Sequence, residues 1–208
     1  MIRASFAILL TLTISFSEGQ TYNGYVITND YDTIHGLIRK NRSALEEIVC
    51  QFSLSDSLKF YQYFPNELVG YGYKNKFFES KVLIEGDLRK RAFLQKLFQG
   101  EIDIYRDRGF FGSVKFYIDK PGYEMVSVPK PKVYDVKKSR GGKAYFVTQH
   151  SAAHKGLLGY FFADEPLIED DLLAMETVSE KSLIDIATKY HELVCEPGVQ
   201  CTVYYYEK

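Results

Sequence analysis

Gly24-Tyr25-Val26-Ile27-Thr28-Asn29-Asp30-Tyr31-Asp32-Thr33-Ile34-His35-Gly36-Leu37-Ile38-Arg39 is the stretch from which the fold is read. Its two arms, 24–28 and 33–39, are rich in β-branched and aromatic residues. The Asn and Asp side chains between them tolerate turn dihedrals, so the stretch predicts a β-hairpin. Outward from it the same character continues. Residues 47–54, 58–63, 68–74 and 77–84 read as short strands, punctuated by Ser55-Asp56, Phe64-Pro65-Asn66 and Lys74-Asn75. The period then changes over 87–98, where Phe93, Leu94, Leu97 and Phe98 share one helical face. Asp87 can cap the start of that segment and Gly100 its end, which predicts a helix in the middle of the chain. Strand character returns over 101–106, 114–118, 123–128, 132–136 and 143–148.

The last third reads differently. Residues 152–163 place Leu157, Leu158, Phe161 and Phe162 on one stripe, and Pro166 opens a short helix that runs to 175. Residues 179–194 form the clearest helix, with Leu183, Ile186, Ala187, Tyr190 and Val194 at core spacing and Thr177 or Ser179 as its cap. Residues 202–207 read as a closing edge strand. Helices segregated after strands imply an α+β fold. The expectation is a mainly antiparallel β-sheet, a meander or partly open barrel, with a helix in the middle and C-terminal helices packed on the sheet. One α+β domain is expected over 20–208: a β-rich part, 20–149, and a helical part with the closing strand, 150–208. Residues 130–143 are the most linker-like segment, yet too short to separate domains.

Residues 1–19 read as an export leader: Arg3 is the positive start, 4–14 an apolar run, and 15–19 a small-residue exit with cuts after Ser17 or Gly19. The run falls short of the roughly 20 residues that a membrane-spanning helix needs, so cleavage into the periplasm or the extracellular space is expected, with no transmembrane segment afterwards. The formal charge is -1, which gives no basic footprint for nucleic acid, and no nucleic-acid partner is expected. At 46% apolar content, a chain of this length can bury a substantial core. The 17 tyrosines and 15 phenylalanines, with no tryptophan, suit pleated, half-buried surfaces.

Candidate chemistry is sparse. Three cysteines must leave one over in an oxidising space. Cys195 and Cys201 bracket a turn-forming Glu196-Pro197-Gly198-Val199-Gln200 and can form a disulfide, whereas Cys50 reads as a buried free thiol. His150 and His154, four apart, would share a helix face as zinc ligands do, but no acidic partner stands at hydrolase spacing. Asp30 and Asp32 read as a solvated hairpin tip rather than a calcium loop. Asp164, Glu165, Glu169, Asp170 and Asp171 cluster where a helix N-terminus favours negative charge. Cys50 with His35 can be drawn as a thiol pair, but strand neighbours are usually structural. No cofactor motif occurs, and no cofactor is expected. The one strong charge asymmetry is Lys130, Lys132, Lys137, Lys138, Arg140 and Lys143, which can meet an anionic surface such as lipopolysaccharide phosphate.

Gly24-Tyr25-Val26-Ile27-Thr28-Asn29 with Asp32 to Ile38, then Val69-Gly70-Tyr71-Gly72, Lys81-Val82-Leu83, Phe93-Leu94, Gly156-Leu157-Leu158 and Ser182-Leu183, resembles uncharacterised secreted or periplasmic proteins of Bacteroidetes bacteria. That resemblance implies a source and a compartment, not an activity. The expected role is an exported, non-enzymatic binding or scaffold protein of the cell envelope, whose partner is an envelope protein or glycan. Tyr61, Tyr63, Tyr71 and Tyr73, with Lys137, Lys138 and Arg140, are the candidate binding surface. The alternative is an envelope hydrolase that uses carboxylates or a His-based metal site. The sequence leaves the oligomeric state open.

Overall fold

A computed structural model describes residues 20–41, 43–54, 57, 59–109, 113–196 and 198–204. The export leader lies outside the described residues. β1 (Thr21–Thr28) and β2 (Thr33–Arg39) form the expected hairpin, paired antiparallel from Thr21 opposite Arg39 to Ile27 opposite Thr33. Tyr31 at its tip holds a positive φ of 65°, a left-handed conformation that costs a residue with a Cβ about 1–2 kcal/mol. After the short helix α1 (Ser43–Glu46) come β3 (Cys50–Ser53), β4 (Tyr61–Tyr63), β5 (Leu68–Tyr73), β6 (Lys76–Glu85), β7 (Leu88–Gln99), β8 (Asp103–Arg108), β9 (Val114–Asp119) and β10 (Val126–Val128). They join one antiparallel sheet in the order β10-β9-β8-β7-β6-β5-β1-β2-β3-β4, which is open because its two ends do not meet. The sheet is the mainly antiparallel one that the sequence implies.

The middle helix does not exist. Residues 88–99 are β7, a central strand paired with β6 on one side and β8 on the other. Phe93 to Phe98 are buried without a break on both faces, and the buried run includes Gln95, bonded to Arg106, and Lys96, bonded to Glu79 and Asp103, so burial and apolar character do not alternate together. A register shift between Lys96 and Phe98 then breaks the two-residue period. Run and bulge together imitate the spacing of a helix.

The strand expected over 132–136 runs on through most of the linker-like segment 130–143. β11 (Val133–Arg140) and β12 (Lys143–His150) form a second, two-stranded sheet that pairs with no strand of the first. Beyond it lie α2 (Ala153–Phe161), a 3-10 turn at Pro166–Ile168, α3 (Glu169–Ala174), α4 (Glu180–Val194) and β13 (Thr202–Val203). β13 pairs with the Phe98–Gln99 end of β7, so the closing strand forms, two residues long, with 205–208 outside the described residues.

The i, i+3, i+4 spacing of α4 buries Leu183, Ile184, Ile186, Ala187 and Tyr190, which meet Leu158, Phe161 and Phe162 of the α2 region and Phe98, Ile104, Phe116 and Ile118 of the sheet. Ser179 caps α4: its Oγ accepts from Ser182 N–H at 3.1 Å while Ser182 Oγ accepts from Ser179 N–H at 2.9 Å. A second cluster, Val26, Ile38, Cys50, Phe52, Tyr71, Tyr73, Phe78 and Phe93, fills the half of the sheet near β1.

Candidate functional site

The β11–β12 hairpin pairs only within itself and adds no strand to the main sheet. Its tip is Gly141-Gly142, both at positive φ (57° and 79°), which allows the two-residue turn that joins Arg140 to Lys143. Its root is clamped by Ser151 N–H to the Lys132 carbonyl at 2.8 Å and by Lys132 N–H to Ser151 Oγ at 2.9 Å. Between root and tip, alternation sorts the side chains. One face carries Tyr134, Val136 and Lys138 of β11 opposite Gln149, Val147 and Tyr145 of β12, ending in Arg140 and Lys143. The other carries Val133, Asp135 and Lys137 of β11 with Thr148 and Phe146 of β12, and Thr148 Oγ1 donates to Asp135 at 2.8 Å. Phe146 is 70% exposed, and Val133, Tyr134 and Tyr145 are exposed with it. Lys137, Lys138 and Arg140, expected from sequence as a binding surface, all stand on this arm, whose aromatic residues the sequence reading missed.

The tyrosines divide. Tyr61 is exposed on the edge strand β4, and Tyr63 packs edge-on against Phe52 at 6.4 Å between centroids. Tyr71 and Tyr73 correct the expectation of a surface: at 1% and 2% exposure they are core, stacked on Phe78. They point the same way because they are two apart on β5, and their hydroxyls bond to Glu46, Tyr71 to its carbonyl at 2.7 Å and Tyr73 to its carboxylate.

The histidine pair is separated by secondary structure. His150 ends β12 and His154 stands in the first turn of α2, so the shared helix face is lost. His154 is buried with Nε2 on the Met175 carbonyl at 3.0 Å. Among the described residues, no group of three or more His, Cys, Asp or Glu is placed to hold a metal ion. The acidic cluster is engaged elsewhere. Asp164 takes Lys120 at 2.8 and 2.9 Å and the Tyr190 hydroxyl at 2.7 Å, Glu165 accepts from Leu167 N–H at 3.0 Å, and Asp171 pairs with Lys189.

The cysteines are free thiols. Burial pushes the Cys50 thiol well above its usual range, and Cys50 sits opposite Tyr63, far along the ladder from His35. Cys195, at the end of α4, lies 3.2 Å from His191 Nδ1 and 3.4 Å from Glu101 Oε1 beside a cleft of about 400 Å³. Desolvation first, then the hydrogen bond to Glu101, raise its pKa, so the group is a thiol rather than a ready nucleophile. His191, four residues earlier on the same helix face, was not singled out in the sequence; the i,i+4 spacing was the available signal.

Two polar clusters hold the sheet together. On the face away from the helices, Lys96 bridges Glu79 at 2.7 Å and Asp103 at 2.9 Å, Lys81 reaches Asp119 at 2.9 Å, and the Tyr105 hydroxyl donates to Glu79 and Asp103 at 2.7 and 3.0 Å. Burial would raise Glu79, but its hydrogen bond and charge contact with Lys96 hold it below the usual carboxylate value. On the helix face, Arg106, 1% exposed, bonds to Gln95 and to Glu180 in the first turn of α4. Nearby, β7 and β8 part beyond the Gln95–Arg106 pair, and the turn after α1 fills the gap. Phe93 N–H donates to the Glu47 carbonyl at 2.9 Å, and Arg108 N–H donates to the Glu47 carboxyl. Burial first, and the hydrogen bond to Asp107 next, push the Glu47 pKa up to about 9.

No family model, curated protein or solved structure matches the chain. Among the described residues, no helix is long and apolar enough to cross a membrane.

Proposed function

We propose that this chain is an exported, non-enzymatic binding protein of the bacterial cell envelope, and that the β11–β12 hairpin is its binding arm. The observation that carries this reading is the arm itself: two strands paired only with each other, with exposed Tyr134, Tyr145 and Phe146 along their length and Lys138, Arg140 and Lys143 towards the tip. A side-chain set that contributes so little to the core is better accounted for by a partner than by folding. Flat rings supply contact area at low entropic cost, and the cations select a negative partner. The partner that fits is a phosphate-bearing envelope surface, such as the glycolipid headgroups of an outer leaflet. The leader-like pattern of Arg3, the apolar run 4–14 and the small residues 15–19 is what suggests the compartment.

Co-sedimentation with phosphatidylglycerol vesicles tests the reading. The protein should pellet at low ionic strength and release as salt rises, since the Debye length shrinks from about 30 Å at 0.01 M to about 8 Å at 0.15 M. Replacing Lys138, Arg140 and Lys143 by Glu should abolish pelleting without lowering the thermal midpoint. Equal pelleting of that variant, or none by the native chain at either ionic strength, would overturn the reading.

A further inference from the structure

A cleft of about 620 Å³ lies at the root of the hairpin, between Lys130, Pro131 and Val133 on one side and the start of α2 and the Glu176–Val178 turn on the other. Its size falls within the range of pockets that take small molecules. Three features converge there. The first is the N-terminus of α2, nine residues long, whose Ala152 cap position carries no side-chain hydrogen bond and whose first turn holds no acid. Ser151, the neighbouring hydroxyl, is committed to Lys132 N–H at the hairpin root. Lys155 N–H already bonds to the Ala152 carbonyl at 2.9 Å, so the N–H groups of Ala153 and His154, with the positive dipole end of the helix, are left for an anion.

The second is His154. The ring lines the cleft at 2% exposure, its Nε2–H is spent on the Met175 carbonyl, and its Nδ1 is buried with no hydrogen-bond partner. A buried orphan of that kind costs about 1–3 kcal/mol unless something satisfies it. The third is the wall itself. Pro131, Val133 and Val178 are apolar, and Lys130 and Lys155 line the cleft with the single acid Glu176; one of the three Lys155 ammonium donors is given to the Leu173 carbonyl.

We infer that this cleft binds an amphiphile with an anionic head, a carboxylate or phosphate on an alkyl chain. The head sits at the α2 N-terminus between Lys130 and Lys155, and the chain lies on Pro131, Val133 and Val178. Because Nε2 donates to the Met175 carbonyl, Nδ1 is an acceptor, and the hydrogen bond to it comes from a head-group O–H such as the P–OH of a singly ionised phosphate ester. The site does not depend on the binding-arm reading.

Titration calorimetry on the full chain, with decanoate, monodecyl phosphate and the uncharged decyl glucoside below their micelle concentrations, tests it. At least one anion should bind and the glucoside should not; which anion binds separates a fatty-acid source from a phospholipid one. Ala152→Asp supplies the missing cap and places a negative charge where the head belongs, so it should keep or raise the thermal midpoint while weakening anion binding at least tenfold. Val178→Trp should fill the wall and weaken it likewise, whereas Phe146→Ser on the arm should leave it unchanged. Glucoside binding as tight as that of the anions, undiminished binding by Ala152→Asp, or no binding of any probe overturns the inference.

Discussion

Glu47→Gln should convert a pH-dependent fold into one that is nearly flat between pH 5 and 9. Glu47 is 8% exposed where β7 and β8 part, it accepts Arg108 N–H, and it shares a hydrogen bond with Asp107. Its pKa in the folded chain is about 9 against an ordinary 4.5, so the folded state holds this proton more tightly than the unfolded state does. The stabilisation is complete below about pH 4.5, shrinks as the pH rises, and is gone once the pH passes about 9. At about 1.4 kcal/mol per pH unit, the loss between pH 5 and pH 7 is about 3 kcal/mol, and over the whole window about 6 kcal/mol. Domains of this kind have about 5–15 kcal/mol in total, so the loss is large enough to see directly. Glutamine keeps a carbonyl for Arg108 N–H and offers an amide to Asp107, without an ionisation to suppress. Urea unfolding at pH 5, 7 and 9 should find variant and native chains within about 1 kcal/mol at pH 5, with the variant ahead by several kcal/mol at pH 9. Parallel stability profiles for the two chains would refute the reasoning.

Lys96→Met should cost about 3–5 kcal/mol by urea unfolding, because it leaves Glu79 and Asp103 facing each other without the ammonium that separates them. Tyr31→Gly should stabilise by up to about 1 kcal/mol, since glycine adopts the positive φ of 65° without a Cβ clash; a loss of stability would contradict the turn described. Iodoacetamide on the native protein at pH 8 should label Cys195 and Cys201 when they are reduced and spare buried Cys50, which should react only after denaturation, as read by peptide mass.

What the sequence made legible follows from where each element sits. β1, β2 and α4 were readable because each presents one face to the core and one to water, so period and structure agree. β7 was not, since a strand covered on both faces loses its alternation and a bulge beside Leu97 supplies false helical spacing. β11 and β12 were legible in part, over 132–136 and 143–148, whereas the tip-side residues 137–142 looked like a linker because lysine, arginine and glycine dominate there. Of the candidate site, the cations Lys137, Lys138 and Arg140 could be picked out by charge alone. Tyr145 and Phe146 could not, because exposed and buried aromatic residues look the same in sequence. Tyr71 and Tyr73 show the converse, two rings that read as surface and serve as core.

The account stands most directly on the hairpin being the surface that a partner covers. Hydrogen–deuterium exchange of the full chain, with and without phosphatidylglycerol vesicles, measures this peptide by peptide. The prediction is slowed exchange in peptides spanning Val133–Arg140 and Lys143–His150, with the main sheet unaltered. Protection confined to β1–β5, or unaltered exchange in the hairpin while the protein is vesicle-bound, would contradict it.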